Sequence, residues 1–456
     1  MEKIREVVSR KDVDYAEIRL EEGIQTNIVI RGKTVETVKQ GRFIGGNVRV
    51  LSDGVWGFAY FNDLNNLKEK LDQAVSQAKA LKNLVKEKSG LAPVNPVEKV
   101  IKASLKKDPS TVPLSEKVKL FSHYSNLAMS VSKRIVGTNI SYTDTRKTVY
   151  FANSQGTYVE KDILDIGGYI IPTASNGKIM EQVMVPFGSS SDYSVVENLD
   201  NEVKKRALLA DKLLDAGRIE GGEYPVIIDQ HLGGVFIHEA FGHLSEADFI
   251  YENEKMKSIM RIGNKIGSDI LNVFDSGDIP GIRGALSYDD EGVEARRVYL
   301  IKNGVLSGHL HSRETAFKMG EMPTGNGRAV NYKFPPIPRM RTTCIENGNA
   351  KLEDLIKDIK KGVYALGSFG GQTNGELFTF VPEEAYLIEN GKIERLVRDI
   401  SLSGNVFETL KNIVGIADDF KIIDTGGGCG KGAQFPLPVS HGAPHVYIKK
   451  AIVGGK

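Results

Sequence analysis

His238 and His243 stand five residues apart in the run GGVFIHEAFGH, with Glu239 directly after the first histidine. On a regular α-helix each residue turns by about 100°, so five steps put two side chains about 140° apart, nearly on opposite faces. Two helical histidines share a face when they are four steps apart, an offset of about 40°. A segment that aims both imidazoles at one point must therefore take an extra residue into the turn as a π-bulge, or break at Gly242, where distortion costs least. Val235, Phe236 and Ile237 are apolar and predict that this helix is buried, and Asp229 is placed to cap its start. A buried His-Glu pair needs strong partners. Neutral imidazoles are good ligands for zinc, and an adjacent carboxylate is the usual base for metal-activated water. The competing reading is that two of the chain's eight histidines fall together by chance. Glu246 and Asp248, just downstream, supply carboxylates able to accept from the far ring nitrogens.

A catalytic zinc takes three protein ligands and keeps one open position. The run DTGGGCGKGAQFPLPVSHGAPHVYI offers Cys429, His441 and His445 as the third. Cys429 lies among glycines, where a thiolate can come close to an ion; it is equally readable as a small residue in a glycine turn. His441 and His445 are alternatives that also read as hydrogen-bonding histidines. His231, seven positions before His238 and nearly on the same helix face, reads as structural or supporting. The glycine clusters at 323–328 and 367–372 lack the Lys-Ser/Thr pair of a phosphate loop and read as loops between strands, able to line a peptide site.

The remaining sequence sets the frame. At 456 residues the chain has room for two or three domains. Its 60 basic and 58 acidic side chains leave a net charge of +2, without the basic excess of a nucleic-acid binder. Two cysteines, Cys344 and Cys429, cannot build a disulfide framework, which points to a reducing, cytoplasmic setting. The charged opening MEKIREVVSRKDVDYAEIRLEE has no signal-peptide core, and no run of about 18 apolar residues predicts a membrane span.

The pattern predicts an α+β fold. In the first part a helix is expected at 2–10 and strands at 14–21, 25–31, 33–40 and 45–51. Helical spacing of apolar residues covers 64–84, and a connection covers 90–113. A second helix at 115–133 precedes strands at 138–142, 148–152, 164–172 and 180–185, and a third helix covers 195–216. The glycine-rich stretch 217–222 predicts a boundary, giving an N-terminal α+β domain at 1–218 and a mostly β domain with the motif helix at 219–456. The second part reads as short strands and glycine-rich loops, with Asn303-Gly304 and Asn390-Gly391 as matching hairpin turns and a helix at 400–416.

Several further runs accompany the motif: LSEAD after the second histidine, DDEGV at 289–293, MPTGNGR at 322–328, PRM at 338–340, GGQ at 370–372, EAYLIENGKI at 384–393 and GGGCGKGAQ at 426–434. Nearly end to end, the chain resembles the TldD/PmbA family of metallopeptidases, in its metal-bearing TldD form. The resemblance implies zinc held by His238, His243 and Cys429, with Glu239 as general base. It implies action on peptides or unfolded segments, and a dimer, either of like chains or with a PmbA-like subunit lacking the metal motif. A thiolate ligand makes zinc-activated water a weaker acid than a third histidine would, leaving more for Glu239 to do. Arg313, Arg328 or a loop N–H are the candidates for stabilising the oxyanion. Two other classes compete: a peptide-binding scaffold without turnover, and a thiol hydrolase using Cys429 with His441. No nucleotide or other organic cofactor signature is present.

Overall fold

The computed structural model describes residue 4 and residues 8–454; most of the helix expected at 2–10 lies outside them. Two antiparallel hairpins of unusual length dominate the first half. Strands β1 (Tyr15–Arg31) and β2 (Thr34–Ser52) pair from end to end and turn at Gly32, whose φ of 55° suits glycine. Strand β3 (Val55–Phe61) adds to β2, and helix α1 (Leu67–Leu81) packs Leu67, Leu71, Ala74 and Val75 onto this end of the sheet. Strand β4 (Glu98–Ile101) lies within the stretch read as a connection. Helix α2 (Leu114–Ser130) leads to the second hairpin, β5 (Ile135–Asn153) and β6 (Tyr158–Ser175). Strands β7 (Met180–Gln182) and β8 (Val185–Ser189) also pair with β6, and α3 (Asp200–Leu213) packs with α2 over it. The sheet runs β3-β2-β1-β5-β6-β4.

The sequence pattern splits β1, β2 and β5 each in two and covers only 164–172 of β6; the structure runs each as one strand. The break expected around Gly23 does not form, and the glycines at 23, 45–46 and 167–168 each mark a place where another part of the chain comes close. A Cβ on Gly45 would overlap the Tyr332 ring, and one on Gly46 would overlap Leu20. A Cβ on Gly167 would meet Gly426 O, and one on Gly168 would meet Ser141 O and the Phe187 ring. The strands run on through residues whose missing side chains make room for neighbours.

The second half opens with β9 (Gly222–Ile228) and helix α4 (Gln230–Ile237). β9 lies inside a nine-stranded sheet whose outermost strand is Gly370–Asn374, followed by Leu377–Val381, Ser401–Asn405 and Val446–Gly454. A six-stranded sheet includes Val273–Asp275, Thr342–Ile345 and Ser440–Ala443. Helix α4 packs on Ser440–Ala443 and Thr342–Ile345 of one sheet and on Lys361–Leu366 and Gly370–Asn374 of the other. Its apolar residues join the largest core, with Phe236 edge-on to Phe378 and Phe380. Both Asn-Gly hairpins form, with φ of 49° and 71° at Asn303 and Gly304, and 49° and 78° at Asn390 and Gly391.

Two expected helices are shorter than read. The 195–216 helix becomes a 3₁₀ turn at Tyr193–Val196 capped by Asp192, followed by α3. The 400–416 helix becomes a strand, Ser401–Asn405, a six-residue helix, Val406–Lys411, and a strand, Ile413–Ile416. Asn405 separates the first two: its side chain accepts from Phe407 N and Glu408 N, and a cap starts a helix. Among the described residues no helix is long and apolar enough to cross a membrane.

Candidate metal centre

Asp229 caps α4, its Oδ1 accepting from Leu232 N at 2.8 Å. The regular helix stops at Ile237, and His238–Gly242 form a single π-helical turn. A short 3₁₀ turn, His243–Ser245, follows. The extra residue in the turn does what five-residue spacing requires: the two imidazole centroids lie 5.3 Å apart. Gly242 is needed for a second reason, since a Cβ there would run into the sulfur of Met340. The PRM run thus packs Met340 against the distorted turn.

The distant Cys429 arrives at the same place. One ligand atom from each of His238, His243 and Cys429 lies within 4.8 Å of the others, and Cys429 Sγ is 3.2 Å from His243 Nε2. The Glu246 carboxylate lies 3.0 Å from His243 Nδ1, which turns Nε2 toward the cysteine. Lys431 Nζ holds that carboxylate at 3.0 Å. Burial alone would raise the Glu246 carboxyl, but His243 and Lys431 bring it down to about 2. Burial likewise pushes the Cys429 thiol up, and the adjacent His238 and His243 reverse this and bring it to about 5. Such a thiol is readily the thiolate that a metal needs. Nδ1 of His238 is buried with no hydrogen-bond partner. Two buried imidazoles and an acidic thiol, each offering a ligand atom within 4.8 Å of the others, fit a zinc-type donor set.

Glu239 sits beside this group, its carboxylate 3.8 Å from His243 Nε2 and its side chain 29% exposed. Its backbone oxygen accepts from Thr373 Oγ1 at 2.8 Å. Thr373 belongs to Gly370–Asn374, the exposed edge strand that contains the GGQ run, so an open sheet edge passes directly by Glu239.

The loop carrying Cys429 is pinned to the N-terminal sheet. Arg283 reaches Asp165 of β6 with Nε and Nη2, at 2.6 and 3.1 Å, and donates from Nη1 to Gly427 O at 2.7 Å. A cleft of about 670 Å³ opens beside it, lined by Thr143, Lys147, Gly426, Gly428 and Phe435 among others. The DDEGV run binds the two halves together from inside. Asp290 pairs with Arg19 at 2.9 Å and Lys161 at 3.0 Å, and Glu291 with Arg49 at 2.8 Å, all buried.

Other residues read as candidates lie elsewhere. His441 stacks on His231 at 5.7 Å between ring centroids, under α4 at Gly234. Burial drives both pKa values down, His231 to about 4, which keeps the rings neutral. His445 lies 2.8 Å from the Tyr364 hydroxyl and 2.6 Å from Asp419. Cys429 therefore has His238 and His243 as imidazole neighbours, and a Cys429–His441 pair is not assembled. Asp248 pairs with Lys431 at 2.6 Å instead of supporting a histidine. The guanidiniums of Arg313 and Arg328 are buried and bonded elsewhere, Arg313 through Nε to Ala92 O and through Nη2 to Gln155, and Arg328 to Met340 O and Pro438 O. Sequence reasoning missed Met340, Lys431 and Thr373 as supporting residues. The only signal was their position within the PRM and GGGCGKGAQ runs and just beyond GGQ.

Family comparisons agree along the whole length. Models for PmbA/TldA metallopeptidases match this chain at residues 16–82 (domain 1), 107–211 (central domain) and 221–455 (C-terminal domain). A metalloprotease of Synechocystis sp. is 43% identical over 98% of this chain and 96% of its own. A metalloprotease of Methanothermobacter thermautotrophicus is 37% identical over 97% and 96%. A zinc metalloprotease TldD homolog of Saccharolobus solfataricus is 40% identical over 52% of each chain. Among solved structures, TldE from Thermococcus kodakarensis shares the fold with a TM-score of 0.78 at 19% identity, covering 100% of this chain and 99% of its own. With three successive family domains matched and full-length relatives well above 30% identity, the chain belongs to the TldD/PmbA family of metallopeptidases.

Proposed function

We propose that this chain is a zinc-dependent peptidase that cleaves short or unfolded peptides, with His238, His243 and Cys429 as the metal ligands and Glu239 as general base. The observation that carries the reading is the meeting of Cys429 with the two histidines at the π-turn, with Glu239 at the open side. A zinc ion held by these donors supplies Lewis acidity toward water and the scissile carbonyl. Glu239 accepts a proton from the attacking water and passes it to the leaving amine. Glu246 keeps His243 turned inward through Nδ1. The name of the Saccharolobus relative supports zinc as the metal.

The edge strand Gly370–Asn374 supports a substrate bound by strand addition, since its outer side is unpaired and it lies against Glu239. The proposed working units are residues 1–218 and 219–456; the long-hairpin sheet ends at Ser189 and the later sheets begin at Gly222. The proposed assembly is a dimer, with a like chain or a metal-free relative, and a TldE of the same fold supports the second form. A cytoplasmic setting belongs to the proposal, and both cysteines are free thiols.

The test is metal analysis beside hydrolysis of an unfolded peptide mixture. Wild type is expected to hold zinc at the histidine–cysteine set and to cleave. His238→Ala and Cys429→Ser are expected to lose the zinc of that set and to lose cleavage. Glu239→Gln keeps the shape but cannot take a proton, so it is expected to retain zinc and lose roughly 10²–10⁴ in rate. Substantial cleavage by Glu239→Gln would move the base elsewhere; full zinc retention by both ligand variants would sink the site.

A further inference from the structure

A second group of metal-type donors flanks Leu310, whose backbone bridges to that of Glu246. Leu310 donates its N–H to Ser245 O at 2.8 Å and accepts from Ala247 N at 3.0 Å. This extended pairing sends the neighbouring side chains, His309 and His311, to one face. Their rings lie 5.9 Å apart, both buried. Helix Arg313–Met319 then ends at Gly320, whose left-handed φ of 67° turns the chain back and delivers Glu321 between them. Glu321 Oε1 is 2.9 Å from His309 Nδ1, and Oε2 is 3.0 Å from His311 Nε2.

The outer nitrogens decide what this arrangement needs. His309 Nε2 lies 2.8 Å from Met260 O, and a carbonyl can only accept, so that nitrogen carries the hydrogen. A neutral His309 then presents the lone pair of Nδ1 to the Glu321 carboxylate, which is itself only an acceptor. Something positive must sit between them, either a second ring proton or a metal ion. On His311, the Thr315 hydroxyl lies 3.1 Å from Nδ1 and leaves Nε2 toward Glu321. This is how ligating imidazoles are oriented: the far nitrogen bonded to the protein, the near one aimed at the ion.

We propose that His309 Nδ1, His311 Nε2 and the Glu321 carboxylate bind a divalent transition-metal ion, at a site separate from the histidine–cysteine set. An ion with tetrahedral bonds of about 2.0–2.1 Å holds its ligands roughly 3.3 Å apart. The carboxylate-to-nitrogen separations of 2.9–3.2 Å need to open by only a few tenths of an ångström, and one ligand atom from each of the three residues already lies within 4.8 Å of the others. Two imidazoles and a carboxylate without sulfur suit zinc or iron(II) over calcium or magnesium. The Glu321 side chain is 25% exposed, so the site has a side open for ion entry and for water as a further ligand. Its role is structural. It ties residues 309–311 to Glu321 and, through Leu310, steadies the Ser245–Ala247 backbone from which Glu246 holds His243.

The test uses the full chain, stripped of metal and reloaded with zinc alone or cobalt(II) alone. Metal per folded chain is counted, and near-ultraviolet absorption reports thiolate bound to cobalt. Wild type is expected to take about two ions, with the thiolate band. Glu321→Gln, which keeps its shape, and His311→Ala are each expected to take about one and keep the band. Cys429→Ser is expected to take fewer than wild type and lose the band. Equal metal content in wild type and a folded Glu321→Gln chain would overturn the proposal. An ion lost in Glu321→Gln from a wild type with no thiolate band would uphold this site while overturning the histidine–cysteine reading.

Discussion

Gly242 shows how one residue serves two demands. The π-turn lets the chain swing His243 back toward His238, and the space where a side chain would stand is filled by Met340. Gly242→Ala would force the turn and Met340 apart. Overpacking of this kind costs about 1–3 kcal/mol, and here the displaced atoms carry a proposed ligand. The expected outcome is a modest loss of stability in urea unfolding with a much larger loss of bound zinc. Met340→Ala in the same chain makes room for the methyl group and is expected to recover zinc in part. Unchanged zinc content in Gly242→Ala would show that the turn has slack.

At the scale of elements, the Cys429 loop depends on contacts outside its own neighbourhood. Arg283 joins β6 through Asp165 and the loop through Gly427 O. Arg283→Ala leaves both without their donor, and charged hydrogen bonds of this kind are worth about 1.5–3 kcal/mol. The loss is expected in the urea midpoint, and zinc affinity should fall with it because Cys429 is no longer held in place. Zinc affinity unchanged in a destabilised Arg283→Ala chain would separate the loop from that anchor. The exposed strand Gly370–Asn374 makes a second prediction. A peptide added to this edge would bind through its backbone, so N-methylation at alternate residues should raise KM by removing donors. Methylation in the other register should have little effect. Equal KM for the two registers would argue against strand addition.

For the whole molecule, an edge strand as receptor implies that the substrate must arrive extended. A small, stably folded domain should resist cleavage, and the same domain unfolded by a destabilising mutation should be cut. Equal cleavage of both would rule out the strand-addition picture and leave the metal chemistry intact. The buried pairs of Arg19, Lys161 and Arg49 with Asp290 and Glu291 join the N-terminal sheet to the second half. Removing one partner would strand a buried charge, so the two halves should hold together under mild denaturant.

Local rules made much of this chain legible in its sequence. The distorted turn follows from counting five steps from one histidine to the next, because a regular helix cannot bring the two rings together at that spacing. The Asn-Gly hairpins and the Asp229 cap also depend only on neighbours. Tertiary structure decided the rest. Glycine at 23, 45–46 and 167–168 looks the same in sequence whether it turns a chain or admits a neighbour, and only the arrival of Lys147, Tyr332 and Gly426 distinguishes the two. Cys429, His441 and His445 were equally available by chemistry. Which of them meets His238 and His243 depends on a loop held by Arg283 from a distant strand, with His441 drawn under α4 onto His231 and His445 onto Asp419. Spacing along the chain sets what a segment can do by itself; long-range packing selects which segments meet.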